Sequence, residues 1–296
     1  MGNDRGCNGV TMTIRLGCAV WAHKAWIGTF YPAGTPHTAL LRRYTERADT
    51  VEGNATFYAV PSADTVAKWA SETPASFRFC CKIPKAISHA GALHSTIAAR
   101  DAFLTRMEPL GARQGPYFLQ LPPRYSTQHL NDLTTWLASW PTTLKLSVEV
   151  RHPSWYTPRG REALENVLNR YGIGHCMMDV RPLDEPGLAG ADADLDEARD
   201  HKPDVPLDPW VSGSFALVRY ISHTDAHANA GYITEWAQRI VAWDARGIDT
   251  YFFMHCPNED RSPAHLQLLR NALAALLPAG HPVWDNSPPE QQASLF

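Results

Sequence analysis

The sequence has no G-x-S-x-G, no P-loop and no G-x-G-x-x-G, so the common hydrolase, nucleotide-triphosphate and dinucleotide signatures are missing. No stretch reaches the ~18 apolar residues that a membrane span needs. Charge of one sign is also missing in excess: a formal net charge of −3 over 296 residues does not describe a globally basic nucleic-acid binder, and no direct nucleic-acid contact is expected. The six cysteines include no C-x-x-C pair. Adjacent Cys80 and Cys81 point to opposite faces of any strand, so neither a disulfide framework nor a zinc site is expected, and the cytoplasm is the expected compartment. The opening "MGNDRGCNGVTMTI" lacks the apolar core of a secretory signal, and Gly6 breaks the myristoylation pattern.

What is present is rhythm. Short β-rich runs ("IRLGCAV", "TVEGN", "FRFCCKI", "PYFLQL", "LKLSVEV", "GHCMMDV", "FALVRYI", "TYFFMHC") alternate with amphipathic stretches such as "SADTVAKWASE" and "REALENVLNRYG". Strand-helix alternation predicts a parallel sheet with helical crossovers. Eight units in a chain 44% hydrophobic predict an α/β fold: one (β/α)₈ TIM-type barrel over residues 14–277, with an extended tail over 278–296. An open doubly wound sheet is the alternative. Residues 181–212, acidic and rich in Pro and Gly, break the rhythm and read as an insertion or lid between strands six and seven. Their "DADLD" fails the calcium-loop spacing, because Glu197 falls at the sixth position and Pro203 at the twelfth; a solvated acidic loop is expected.

In such a barrel, chemistry collects at the C-terminal ends of the strands. Alternation in "KLSVEVR" sends Leu146, Val148 and Val150 to the helices and turns Ser147, Glu149 and Arg151 inward. The same rule turns Lys82 inward in "FRFCCK". Gln120, Asp179, Arg219 and His255 end strands four, six, seven and eight. Glu52, Lys82, Glu149 and Asp179 are the candidate catalytic groups. Arg151, Arg219 and His89 are candidate anion-binding groups, with Asn54 and Gln120 beside them. Two carboxylates across a barrel also suit sugar chemistry. No cofactor is required; a divalent metal on Glu149, Asp179 and His255 is the candidate alternative. "WAHKAWIGTFYP" and "NATFYAVPS" supply Trp21, Trp26, Phe30, Tyr31, Phe57 and Tyr58, which either wall a pocket by stacking or plug a barrel end.

Several of these segments carry a resemblance. "GCAVWAHKAWIGTFYP", the T-F-Y-x-x-P block in "NATFYAVPS", "LQLPPRY", the E-x-R-x-x-S-W block in "SVEVRHPSW" and "VRYISH" resemble the YecE-like family, domain of unknown function seventy-two. The resemblance covers roughly residues 14–277. It implies a TIM barrel and no established reaction. By position it singles out Glu52, Asn54, Thr56, Phe57, Tyr58, Lys82, His89, Glu149, Arg151, Trp155, Asp179 and Arg219. The chain departs from the family after strand seven, where R-x-H-G is replaced by Arg219-Tyr220-Ile221-Ser222. It departs again after strand eight, where Met254-His255-Cys256 replaces F-N-N.

The tail "NSPPEQQASLF" ends on two apolar residues after Pro288-Pro289. Gln292-Ala293-Ser294-Leu295-Phe296 is similar to the short Q-x-S/D-L-F peptide with which bacterial replication and repair proteins dock on the DNA sliding clamp. Gln292, Leu295 and Phe296 are thus candidate partner-binding residues; packing back on the body is the alternative. The sequence leaves three functions open: an enzyme using carboxylate acid/base chemistry on a small anionic, sugar- or nucleotide-like substrate, a clamp-recruited accessory of DNA maintenance, and a ligand-binding barrel without chemistry.

Overall fold

Apolar runs flanked by turn residues become strands buried on both faces, as parallel sheets require. A computed structural model of the chain describes residues 14–185, 192–203 and 205–278. Its strands are β1 (Ile14–Cys18), β2 (Thr50–Gly53), β3 (Arg78–Cys81), β4 (Tyr117–Gln120), β5 (Leu146–Glu149), β6 (Gly174–Asp179), β7 (Phe215–Ile221) and β8 (Asp249–His255). Every run read as a strand overlaps one of them. All pairings are parallel: β1-β8-β7-β6-β5-β4 form one sheet, and β2 pairs with β3 in another.

The two sheets approach each other at both edges. Between β3 and β4, Gly115 N donates to Phe79 O at 2.9 Å and Ile83 N to Phe118 O at 2.9 Å. Between β1 and β2, Asp49 N donates to Leu16 O at 3.1 Å. Tyr44 Oη fills the gap beside that bond, accepting from Cys18 N at 2.7 Å and donating to Thr50 O at 3.0 Å. A Cβ on Gly17 would lie 2.0 Å from Thr50 O, so only glycine permits this approach.

The helices are α1 (Leu40–Thr45), α2 (Ala55–Tyr58), α3 (Ala63–Glu72), α4 (Lys85–Ser88), α5 (Ile97–Met107), α6 (Leu130–Ala138), α7 (Pro158–Tyr171), α8 (Ala193–His201), α9 (Ala230–Asp244) and α10 (Ser262–Leu276). Local chemistry sets their ends. Ser62 Oγ accepts from Thr65 N at the start of α3, Thr157 Oγ1 does so from Gly160 N at α7, and Gly172, at φ 65°, ends α7. One strand face packs on these helices, with Val51, Phe79, Val148 and Phe252 against residues such as Trp136, Leu168 and Trp236. On the other face Cys80, Phe118, Cys176, Phe215, Leu217, Tyr251 and Phe253 make a separate cluster of strand residues alone.

Besides the one-turn α2 and α4, two longer helices escaped the pattern reading. In α5 a core-facing position is Arg100, buried and donating to Trp136 O and Ser139 Oγ, which blurs the apolar stripe. In the acidic segment, expected to be a solvated loop, Asp192 caps α8 by accepting from Asp194 N and Leu195 N. Leu195 and Ala198 then pack on Met178, Leu183, Val205 and Ile221. No helix among the described residues is long and apolar enough to cross a membrane. The tail residues Gln292, Leu295 and Phe296 lie outside the described residues.

Candidate functional site

The inner strand face, the one turned away from the helices, carries a charged network at its C-terminal end. Glu52 on β2, fully buried, accepts four hydrogen bonds. Arg219 on β7 donates twice, Nη2 to Oε1 at 2.8 Å and Nε to Oε2 at 2.9 Å; Asn54 Nδ2 reaches Oε1 at 2.7 Å and His255 Nε2 lies 2.8 Å from Oε2. Glu149, ending β5, receives Arg151 Nε on Oε1 and Arg219 Nη1 on Oε2, both at 2.6 Å. Arg219 therefore bridges two carboxylates from strands 97 positions apart in sequence, each of them 0–1% exposed.

Electrostatics fixes the protonation states. Burial alone would raise both carboxylates. For Glu149 the charges of Arg151, Arg219 and Lys82 outweigh it and hold the group at about 2. For Glu52, Arg219 and His255 win by more, and it lies well below the usual range. Burial also lowers His255, so its neutral ring donates to Glu52. Both carboxylates are held ionised, Glu52 by four hydrogen bonds and Glu149 by one guanidinium N–H on each oxygen. In this arrangement they fix the guanidinium groups of Arg219 and Arg151.

Lys82 is different. It follows β3, is 7% exposed and makes no ion pair among the described residues. Its Nζ donates to Gln120 Oε1 at 2.7 Å and stands 3.9 Å over the Phe57 ring. Gln120 Oε1 accepts from Arg151 Nη2 as well, at 2.8 Å. Two cations thus converge on one neutral oxygen. Burial, then repulsion by Arg219, lowers Lys82 to about 8. His89 meets Phe57 edge to face at 5.3 Å, and burial followed by Lys82, Lys85, Arg124 and Arg151 lowers it to about 4. Tyr58, 82% exposed, stands beside Phe57 at the rim.

A cavity of about 310 Å³ flanks this network between α8 and the end of β8, lined by Glu197, His201, Lys202, His255, Cys256 and Glu259 among others. Burial and then the charges of Arg219 and Arg151 lower Lys202 to about 8. Burial raises Glu259 to about 8. Sequence reading missed Lys202 and Glu259. The one signal for Lys202 is a lone lysine in an acidic run; for Glu259 there is none, because its shift is tertiary.

Three expected site residues lie elsewhere. Met178 faces Arg219, its Sδ 3.9 Å from Nη1, so alternation turns Asp179 to the helices. There Asp179 accepts from Arg181 Nε and Nη2, both at 2.9 Å, and from Trp236 Nε1 at 2.7 Å. Trp21 packs edge to face on Trp69 of α3 at 5.3 Å. Trp155 is buried, with Nε1 donating to Tyr125 O. Trp26, Phe30 and Tyr31 cluster with Tyr44 on the helix side. Glu149, Asp179 and His255 are not assembled as one ligand set, and no group of three or more His, Cys, Asp or Glu among the described residues is placed to hold a metal. The five described cysteines are free and buried.

The comparisons agree with one another. The model of the family described as "Protein of unknown function DUF72" matches residues 15–292. The UPF0759 protein YecE of Escherichia coli K12 is 32% identical over 266 residues, 90% of this chain and 94% of that protein. The UPF0759 protein YunF of Bacillus subtilis is 25% identical over 58% of this chain and 62% of its own. Crystal structures of DUF72 family proteins from Enterococcus faecalis and Thermotoga maritima superpose with TM-scores of 0.66 and 0.63. They share 17% and 20% identity, and the match covers 88% and 86% of this chain and 96% and 97% of theirs. This chain belongs to the DUF72 family.

Proposed function

We propose that the chain is an enzyme that transfers a proton on a small anionic, sugar- or nucleotide-like substrate held at the C-terminal end of its strands. The reading includes closure of the eight strands into one barrel, supported by the bonds linking β3 to β4 and β1 to β2. The observation that carries the proposal is the Lys82 ammonium, buried without a carboxylate partner and sharing Gln120 Oε1 with Arg151. A buried cation is costly unless paired, and a substrate phosphate or carboxylate between Lys82 and Arg151 supplies the missing charge. Lys82, lowered to about 8, is suited to accept and return a proton near neutral pH. Glu52 and Glu149 hold Arg219 and Arg151 in position, and Lys202 and Glu259 line the approach. Glu52 and Glu149 are thereby reassigned from acid/base work to positioning.

A panel of sugar phosphates, nucleotides and carboxylates, screened by thermal shift and followed by product analysis, tests the reading. Some member must raise the melting temperature and be turned over, with the apparent rate constant rising through about pH 8. Turnover undiminished in Lys82→Met would sink the assignment. Binding that needs Lys82 and Arg151 but yields no product would make the chain a ligand-binding barrel.

A second role rests on sequence alone: the terminal "QASLF" would dock on a sliding clamp. Equal affinity of clamp for the full chain and for a chain lacking Leu295 and Phe296 would remove it.

A further inference from the structure

The opposite end of the same strand face carries a second charged group that the proposed chemistry does not use. Alternation places Arg15 of β1, Arg78 of β3, Lys145 just before β5 and Asp249 of β8 on the inner side at the N-terminal strand ends: Arg15 is registered with Tyr251, and Asp249 shares Tyr251's face two residues away. All four line a cavity of about 380 Å³, with Gln114 and Tyr251. Only Asp249 offsets the three cations there, and Lys145 already holds it at 2.9 Å.

The guanidinium groups are underused. Arg15 donates Nη1 to Ser76 O at 2.7 Å. Arg78 donates Nη1 to Ala75 O and Phe77 O at 2.7 and 3.0 Å. Neither makes a salt bridge to a carboxylate among the described residues, although the Asp249 charge acts on Arg78, and each retains further N–H donors. They also repel: Arg78 is lowered by burial first and by the Arg15 charge second. The hydroxyl of buried Tyr251 donates to no protein atom among the described residues. Gln114 accepts from Tyr117 Oη at 2.9 Å through Oε1, which leaves its amide nitrogen as another donor. A cavity with two arginines, a lysine, a phenol and an amide, and one engaged acid, is a donor set for a tetrahedral oxyanion.

We propose that this N-terminal cavity is a second anion site, separate from the Lys82 end, that binds a phosphoryl dianion through Arg15, Arg78 and Lys145. The dianion is either free phosphate or the head of a phosphomonoester. Binding relieves the repulsion between the two arginines and ties β1, β3 and β5 together at one end.

The test uses the full chain carrying Lys82→Met and Arg151→Gln, so that the other end takes no anion. Isothermal titration with inorganic phosphate, and separately with glycerol phosphate and adenosine monophosphate at equal ionic strength, identifies which source binds. The expected result is one site per chain, weakened about tenfold or more by Arg15→Gln or by Arg78→Gln and less by Lys145→Gln. Circular dichroism establishes that each variant is folded; Arg15→Gln and Lys145→Gln keep the test alive if Arg78→Gln does not fold. Absence of phosphoryl binding in that background, or affinity unchanged by the folded arginine variants, overturns the proposal.

Discussion

Arg219 meets Glu52 through two hydrogen bonds of 2.9 and 2.8 Å, between side chains 5% and 0% exposed. Both charges have left water, so each depends on the other. Glu52→Ala or Arg219→Met alone should cost about 3–5 kcal/mol in urea unfolding. Replacing both with apolar groups should cost clearly less than the sum of the single changes. Additive losses would show that the pair is not coupled.

Acid should weaken the protein through Glu149. Its folded value, about 2, lies below the unfolded one. The folded state therefore gains stability that is complete above about pH 4.5 and lost as pH falls toward 2. His89, lowered to about 4, acts in the same direction from about pH 6.5 downward, because folding favours its neutral ring. Unfolding free energy should fall between pH 6 and pH 3 by on the order of 2 kcal/mol from Glu149 alone. Glu149→Gln should flatten that part of the curve.

Lys82 should trade stability against function. Burial penalises its charge at neutral pH, so the folded state is favoured as pH rises through about 8. Lys82→Met removes the penalty and should stabilise the protein at pH 7 by on the order of 1–3 kcal/mol. Anion binding should fall together with it. A lower melting temperature in Lys82→Met would show that the Gln120 and Phe57 contacts outweigh the desolvation.

Tyr44→Phe should loosen the junction of β1 and β2. The Cys18 N–H and Thr50 carbonyl would lose their common partner, at a cost of about 1–3 kcal/mol. Amide exchange at Cys18, faster in the variant than at neighbouring β1 positions, is the diagnostic measurement.

Much of this architecture was legible because period-two alternation is a local property. It oriented Lys82, Glu149 and Arg151 in strands whose outward positions are apolar: Phe79 and Cys81, Val148 and Val150. Picking residues by their place at a strand end misled at "GHCMMD", where the inner positions hold Cys176 and Met178 and the helix side holds Asp179. The apolar-polar contrast is inverted there, because Arg181 and Trp236 satisfy the carboxylate from outside. For Trp21 and Trp155 the residue type fixes size but not face. The shifts at Lys202 and Glu259 depend on how α8 and the segment after β8 fold over the strand ends, and such contacts leave no periodic trace.

The apolar layer of Cys80, Phe118, Cys176, Leu217 and Phe253 has an electrical consequence. It stands as a low-permittivity septum between the charges around Arg219 and those around Arg15 and Arg78. The two ends are thus held a layer of apolar side chains apart, joined by the strands they share, and the charges of both reach its Cys80.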